Sequence, residues 1–200
     1  MRVLNKTGAL LGVAALALLA GCGGPSTFVN PEADLPYYQK VAIIPFTSLS
    51  QDRAAGYRVS DVFFSELLRK GFADLVEPGQ FSAAVTKMRG GTPVENPWSA
   101  EELSRLGEEL GIQGVFLGTV REYEMVRTGR DAFPLISLEV RLVDTASGKL
   151  VWSASTTRRG GPGVPVVSWF LGLLGGGEIH TMGELSAEVC RDFLKTLPRS

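Results

Sequence analysis

The sequence predicts a single α/β domain whose mixed sheet has about five strands, flanked by helices and completed by a C-terminal helix. Three observations lead to this prediction. Over residues 40–120, short apolar runs alternate with amphipathic segments, which is typical of parallel strands joined by helical crossovers. Alternating segments at 135–143 and 150–154, separated by a glycine-containing turn, indicate an antiparallel meander. An amphipathic segment at 182–197 predicts the last helix.

Residues 1–21 have the features of a secretory signal peptide. Arg2 and Lys6 precede the apolar run 10–18, and small residues follow that run up to Cys22. A charged start, a short apolar centre and small residues before a cleavage point characterise such a peptide. The apolar run is shorter than the roughly 20 residues that a membrane-spanning helix needs.

The segment Leu19-Ala20-Gly21-Cys22 resembles the lipobox of bacterial lipoproteins. In that family the chain is cut before the cysteine, the sulfur carries a diacylglycerol, and the new amine is acylated. The resemblance therefore implies a covalent lipid on Cys22 and attachment to a membrane, since two or more acyl chains anchor stably. A chance cysteine after an ordinary secretory signal is the alternative. Gly23 replaces the aspartate that signals retention in the inner membrane, which implies the outer membrane and its periplasmic face.

Residues 22–38 predict a lipidated flexible tether, because Gly, Pro, Ser and Asn recur there without a sustained period. The α/β domain is assigned to residues 39–200. Its early part alternates strand and helix, with strands predicted at 40–47 and 72–77 and helices at 56–70 and 80–88.

The helix predicted after Trp98 has a strong start signal. Ser99 and Glu102 have the spacing of a capping box. In that motif the side chain of each residue accepts a hydrogen bond from the backbone amide of the other. Trp98 and Leu103 are spaced to form a hydrophobic staple across the same start. A staple is the preferred interpretation of Trp98, and stacking against a ligand is the alternative.

A Gly/Pro-rich apolar insert at 160–177 interrupts the pattern between the meander and the last helix. Loops are normally polar and exposed, so an apolar loop predicts a contact. The contact is with the domain's own sheet, with the bilayer, or with a neighbouring subunit. The candidate membrane or subunit contacts are Val166, Val167, Trp169, Phe170, Leu171, Leu173 and Leu174.

Composition limits the chemistry of the chain. Its 20 basic and 21 acidic residues form no basic excess, so no nucleic-acid partner is expected. The single histidine, His180, leaves a histidine-based triad or metal site without a second member. With Cys22 lipidated, Cys190 has no disulfide partner and is expected to pack as a small apolar residue. We therefore expect no catalytic site, no metal and no cofactor beyond the covalent lipid.

Four segments of the domain resemble one known family. They are VAIIPF at 41–46, the helix-to-strand segment at 60–78, LGEELGIQGVFLGTV at 106–120 and LEVRLVDTASGKLVWSAS at 138–155. Each is similar to the matching strand or helix of the curli secretion channel (CsgG) family and its relatives with a TolB-N-terminal-like α/β domain.

The resemblance implies a non-enzymatic outer-membrane lipoprotein that is a component or accessory of an envelope assembly or secretion machine. Its partners would be further copies of the chain or other envelope proteins. Relatives imply the alternatives of a peptidoglycan synthase activator or a flagellar accessory, and a periplasmic small-ligand-binding domain is a third. The channel family inserts β-hairpins into the membrane, whereas residues 123–134 are too short and polar for strands of about nine residues each.

Overall fold

The computed structural model describes residues 24–90, 97–161 and 181–198. Within these residues there are seven strands and four α-helices. The strands are β1 (Ser26–Val29), β2 (Lys40–Ile43), β3 (Thr47–Ser48), β4 (Asp74–Leu75), β5 (Gly114–Thr128), β6 (Asp131–Asp144) and β7 (Leu150–Arg159). The helices are α1 (Ala55–Lys70), α2 (Pro78–Arg89), α3 (Ala100–Leu110) and α4 (Met182–Thr196).

All seven strands belong to one mixed sheet. Their order is β1-β7-β6-β5-β2-β4, and β3 pairs with β5 beyond the end of β2. β2 is parallel to β4 and β5, while β5, β6, β7 and β1 are antiparallel neighbours. The predicted α/β class, with parallel crossovers, an antiparallel meander and a C-terminal helix, is confirmed. The sheet is larger than the predicted five strands because β1 and β3 also join it.

One face of the sheet carries the larger core, under α1 and α4. Its centre is a series of aromatic rings in which Phe63 contacts both Phe46 and Phe116, with ring centres 5.6 Å and 5.2 Å apart. Trp152 of β7 continues the series at 6.2 Å from Phe116. Cys190 of α4 is fully buried in this cluster, as the apolar flank of its helix predicts.

The other face of the sheet is covered by α2 and α3, which pack against each other over β2 and β5. The capping box of Ser99 and Glu102 is confirmed at the start of α3. Trp98 packs on this core, with its ring centre 6.4 Å from that of Phe81 and 3.9 Å from the guanidinium of Arg89. These contacts confirm a structural role for Trp98.

The tether predicted over residues 22–38 is wrong for Ser26–Val29, which forms β1 at the edge of the sheet. Ser26 pairs with Ser155, and Val29 pairs with Trp152. The strand forms because Thr, Phe and Val favour extended structure and because β7 otherwise presents a free edge. Asn30 ends the pairing: its side-chain amide donates to the carbonyl of Leu150, and its backbone amide donates to the carbonyl of Val151.

Residues 123–134, predicted to be too short and polar for two membrane-inserted strands, form the outer part of a β-hairpin. β5 and β6 pair from Gly114 with Asp144 out to Thr128 with Asp131. Gly129 adopts a φ of +65° in the two-residue turn, a conformation that favours glycine. The sequence did not predict strands in this arm, because its exposed side chains are charged and because Pro134 interrupts the strand pattern of β6.

Candidate interaction surfaces

The residues that the sequence marked as functional lie outside the described part of the chain. Leu19, Ala20, Gly21 and Cys22 precede it, and the apolar residues of the 160–177 insert fall almost wholly within its second gap. Their lipidation and contacts stay predictions. Of the insert, the structure describes only residues 160 and 161. The amide of Gly160 donates to the carbonyl of Pro134 on the β5–β6 arm, at 2.7 Å. Thr181 caps α4.

A groove of about 560 Å³ lies between α1 and α2. It exists because β4 has only two residues, so β4 pairs with β2 only at Lys40 and Val41. Past these pairs, the end of β2 is left open between the two helices. Most of the lining is apolar and comes from Ile43, Pro45, Tyr57, Phe64, Val76, Pro78, Phe81 and Val85.

Three of the hydroxyl groups that line this α1–α2 groove are already used by the fold. Ser60 donates to the carbonyl of Gly56 at 2.8 Å and accepts from the amide of Phe46 at 2.7 Å. Ser65 and Thr86 each donate to the carbonyl one helical turn before them. The rest of the lining is mainly apolar, with Asp61 and Ser82 as further polar side chains. Such a groove suits apolar side chains or an acyl chain better than a polar metabolite.

The buried charges join helices and do not form a reactive cluster. The side chain of Glu66 on α1 is only 6% exposed and accepts from Arg69 at 2.6 Å and from Arg191 of α4 at 3.1 Å. Lys70 donates to the carbonyls of Leu194 and Leu197 at the end of α4. These contacts lock α1 to α4, and a buried charge needs such partners to be tolerated.

Two further groups have shifted pKa values for structural reasons. Burial, reinforced by the adjacent Asp144 carboxylate, raises the pKa of Tyr38, whose hydroxyl donates to that carboxylate at 3.2 Å. Burial also raises the pKa of the Cys190 thiol. Both shifts favour the neutral, unreactive form, so neither group is activated as a nucleophile.

Within the described ranges, no group of three or more histidine, cysteine or acidic side chains is placed to hold a metal ion. Nor does any helix in that part of the chain have the length and apolar character needed to cross a membrane.

Two exposed edges of the sheet, β1 and the outer part of β5, differ in chemistry. β1 has no charged residue and is exposed along its whole length, including Phe28 and Val29. On the arm, the outer edge of β5 carries Glu122, Glu124 and Arg127. Charges on an edge strand oppose pairing with another chain and contact with apolar material. The β1 edge, which sequence reasoning missed, is therefore better suited than the β5 edge to contact another chain or an apolar surface.

No protein-family model and no curated protein sequence matches this chain. Solved structures match it in fold. The PelC dodecamer from Paraburkholderia phytofirmans gives a TM-score of 0.57 at 17% identity, over 90% of this chain and 99% of that chain. Lipoprotein GNA1162 from Neisseria meningitidis gives a TM-score of 0.51 at 23% identity, over 68% of this chain and 91% of that chain. This chain shares the fold of these two proteins.

Identities this low establish the common fold and leave activity and partners open. The resemblance to the curli channel family, drawn from sequence segments, stays a prediction beside them.

Proposed function

We propose that this chain is a non-enzymatic lipoprotein of the outer membrane that faces the periplasm and serves an envelope assembly or secretion machine. The observation that carries the proposal is the segment Leu19-Ala20-Gly21-Cys22, which resembles a lipobox and whose cysteine lies four residues before the first strand. The shared fold of lipoprotein GNA1162 supports it. The contacts of Glu66, Lys70 and Tyr38 also support the non-enzymatic part of the proposal, because each of these groups bonds to a neighbouring element of the fold.

Self-association is the second part of the proposal. The fold is shared with a protein that forms a dodecamer, PelC. The described residues include an open apolar groove and an uncharged sheet edge, and either can bury area between subunits. A ring of identical subunits anchored through Cys22 would be a natural base for an envelope machine.

The lipid anchor is tested by expressing the full chain with Cys22→Ala. We expect the wild type to fractionate with membranes and to show an acylated N-terminal Cys22 by mass spectrometry. The variant should remain uncleaved and lack the lipid mass. Cys190→Ala is the matched control, because it removes the other thiol and should leave lipidation intact. An unmodified N-terminus beyond residue 22 in the wild type would refute the proposal.

The identity of the binding partner distinguishes the main proposal from the two alternatives, a peptidoglycan synthase activator and a flagellar accessory. Cross-linking in intact cells, followed by purification from solubilised membranes, should recover multimers of this chain for a ring-forming component. Recovery of a peptidoglycan synthase or a flagellar protein, with this chain as a monomer, would instead favour an activator or an accessory.

The α1–α2 groove favours a second candidate function, the binding of an apolar ligand in the periplasm. Phe64→Glu puts a charge into the groove, and Leu68→Glu puts the same charge on an exposed position of the same helix outside it. If the groove binds a ligand, native mass spectrometry should show a bound mass that Phe64→Glu loses and Leu68→Glu keeps. If the groove joins subunits, Phe64→Glu should instead reduce the assembly size.

A further inference from the structure

We propose that the β1 edge of the sheet is the surface that this protein turns toward the lipid bilayer, with Phe28 at the depth of the headgroups. The inference rests on the proposed lipid at Cys22 and adds an orientation to it. A long tether would leave the domain free to rotate. The structure replaces that tether with a strand, and the orientation follows from the position of the strand.

The first step is a length argument. Cys22 lies four residues before Ser26, the first residue of β1. Four residues of fully extended chain span at most about 14 Å. Acyl chains on Cys22 enter the bilayer, so the cysteine itself lies at the membrane surface. The start of β1 is therefore held within about 14 Å of that surface, whatever conformation the linking residues adopt.

The second step is that β1 is fastened to the domain. It pairs with β7 at all four residues, and Asn30 ties the chain to Leu150 and Val151 directly after it. β7 in turn pairs with β6 along most of its length. A short link to β1 is thus a short link to the whole sheet. It holds the β1 edge near the membrane, whereas no such link holds the β4 edge at the other end of the sheet order.

The third step concerns the chemistry of the edge. Phe28 is 45% exposed and Val29 is 38% exposed, and no residue from Ser26 to Val29 is charged. Phe28 pairs with Ser153, whereas Val29 pairs with the buried Trp152, so the Phe28 ring stands on the side of the strand away from the α1–α4 core. The exposed ring therefore contributes little to the core.

The depth of β1 is limited by its backbone. An open strand edge cannot enter the hydrocarbon region, because its unpaired amide and carbonyl groups would lose water without gaining partners. At the headgroups those groups stay hydrated while an aromatic ring reaches the apolar boundary, which suits Phe28. The charged outer edge of β5 would be disfavoured at that boundary.

The test places a fluorescent reporter on the acylated full-length protein in a Cys190→Ala background. Phe28→Cys carries the reporter at the β1 edge, and Leu68→Cys and Met125→Cys are controls on α1 and on the arm, both exposed. Each labelled protein is reconstituted into phosphatidylcholine and phosphatidylglycerol vesicles that contain lipid spin-labelled in the headgroup. We expect the reporter at position 28 to lose the most fluorescence and to shift to shorter wavelength.

The outcomes separate the inference from the proposed function. Weaker quenching at position 28 than at either control, with Cys22 acylation confirmed by mass spectrometry, overturns the orientation and leaves the lipoprotein proposal standing. Self-quenching at position 28 that depends on protein concentration, without quenching by lipid, also overturns it and assigns the edge to a second copy of the chain. An unacylated Cys22 refutes the proposed function, and the orientation with it.

Discussion

At the scale of single residues, Gly118 of β5 is one of the positions where the larger core requires a glycine. A Cβ atom added to Gly118 would overlap the ring of Phe46, which is 1% exposed and packs against Phe63. The ring has no room to retreat, because interiors are close-packed. Phe46 is further held by its own backbone, whose amide donates to the buried hydroxyl of Ser60.

We therefore expect Gly118→Ala to lower the free energy of unfolding by about 1–3 kcal/mol, the usual range for overpacking a core. The matched control is Gly183→Ala in α4, where the added methyl meets open space. That control should be neutral or stabilising by up to about 1 kcal/mol, because alanine favours helix over glycine. Urea denaturation of both variants measures the difference, and equal midpoints would contradict the assignment of Gly118 as a close-contact site.

At the scale of elements, one carboxylate of α3 both caps its own helix and pairs with α2, beside a second ion pair between Lys87 of α2 and Glu109 of α3. Glu102 accepts from the amide of Ser99 in the capping box and from Arg89 at 2.8 Å and 3.1 Å. Arg89 also stacks on Trp98, and its side chain is only 4% exposed. Removing the Glu102 carboxylate would therefore take an ion-pair partner away from this buried guanidinium, which is costly.

The hydrogen bonds from Arg89 and Ser99 lower the pKa of Glu102 below its ordinary value. A lowered pKa in the folded state means that the ionised form stabilises the protein above the pKa of the unfolded chain. This stability is lost as the pH falls through the folded pKa. Glu102→Gln should thus lower the melting temperature at pH 7 and flatten its decrease on acidification.

Glu101→Gln is the control for that experiment, because Glu101 lies in the same first turn and is exposed. Melting curves recorded from neutral to acidic pH should separate the two variants at pH 7 and bring them together in acid. A constant difference at every pH would assign the loss to packing and not to the charge.

The apolar insert at 160–177 connects two elements of the fold, β7 and α4. Burying one large apolar side chain is worth roughly 1.5–3 kcal/mol, so seven are expected to be covered. We predict that Trp169→Glu combined with Phe170→Glu leaves the fold intact and weakens association with membranes or with neighbouring subunits. Ser168→Glu adds charge beside them and is the control.

The measurements are the melting temperature, the assembly size of the unlipidated domain and its binding to vesicles. An unchanged melting temperature with a loss in either association assay is the expected result. A large fall in melting temperature, with both associations unchanged, would place the insert in the core of its own domain.

At the scale of the whole molecule, β1 connects the proposed lipid anchor at Cys22 to the sheet. The lipobox precedes β1 by a few residues, β1 is the sheet edge, and the sheet carries all four described helices. Under the proposed anchoring, delivery to the inner or outer membrane would decide which membrane the sheet is held against.

The lipoprotein resemblance predicts that sorting depends on the residue after Cys22. Gly23→Asp should move the protein from the outer to the inner membrane of a Gram-negative host, and Gly23→Asn, which is similar in size and uncharged, should not. Density-gradient fractionation of the two variants and the wild type is the measurement. Wild type found in the inner membrane would show that the sorting prediction is wrong.

The sequence by itself determined the elements whose signals are local. The capping box at Ser99 follows from two residue types three positions apart. The apolar stripe of α4 and the alternation in β6 follow from the period of each element. The burial of Cys190 followed from the same stripe. The lipobox at Cys22 is likewise a local pattern, and its lipid is still to be measured.

Only the tertiary structure decided what depends on distant partners. Ser26–Val29 resembled a tether until β7, more than a hundred residues later, supplied its hydrogen bonds. The outer arm of β5 and β6 is polar on its own and is a hairpin only because its strands pair with each other. The α1–α2 groove arises from the shortness of β4, a pairing that no local period encodes. The surfaces available to partners are set by such long-range pairings, because the sheet bonds that define them join residues far apart in the chain.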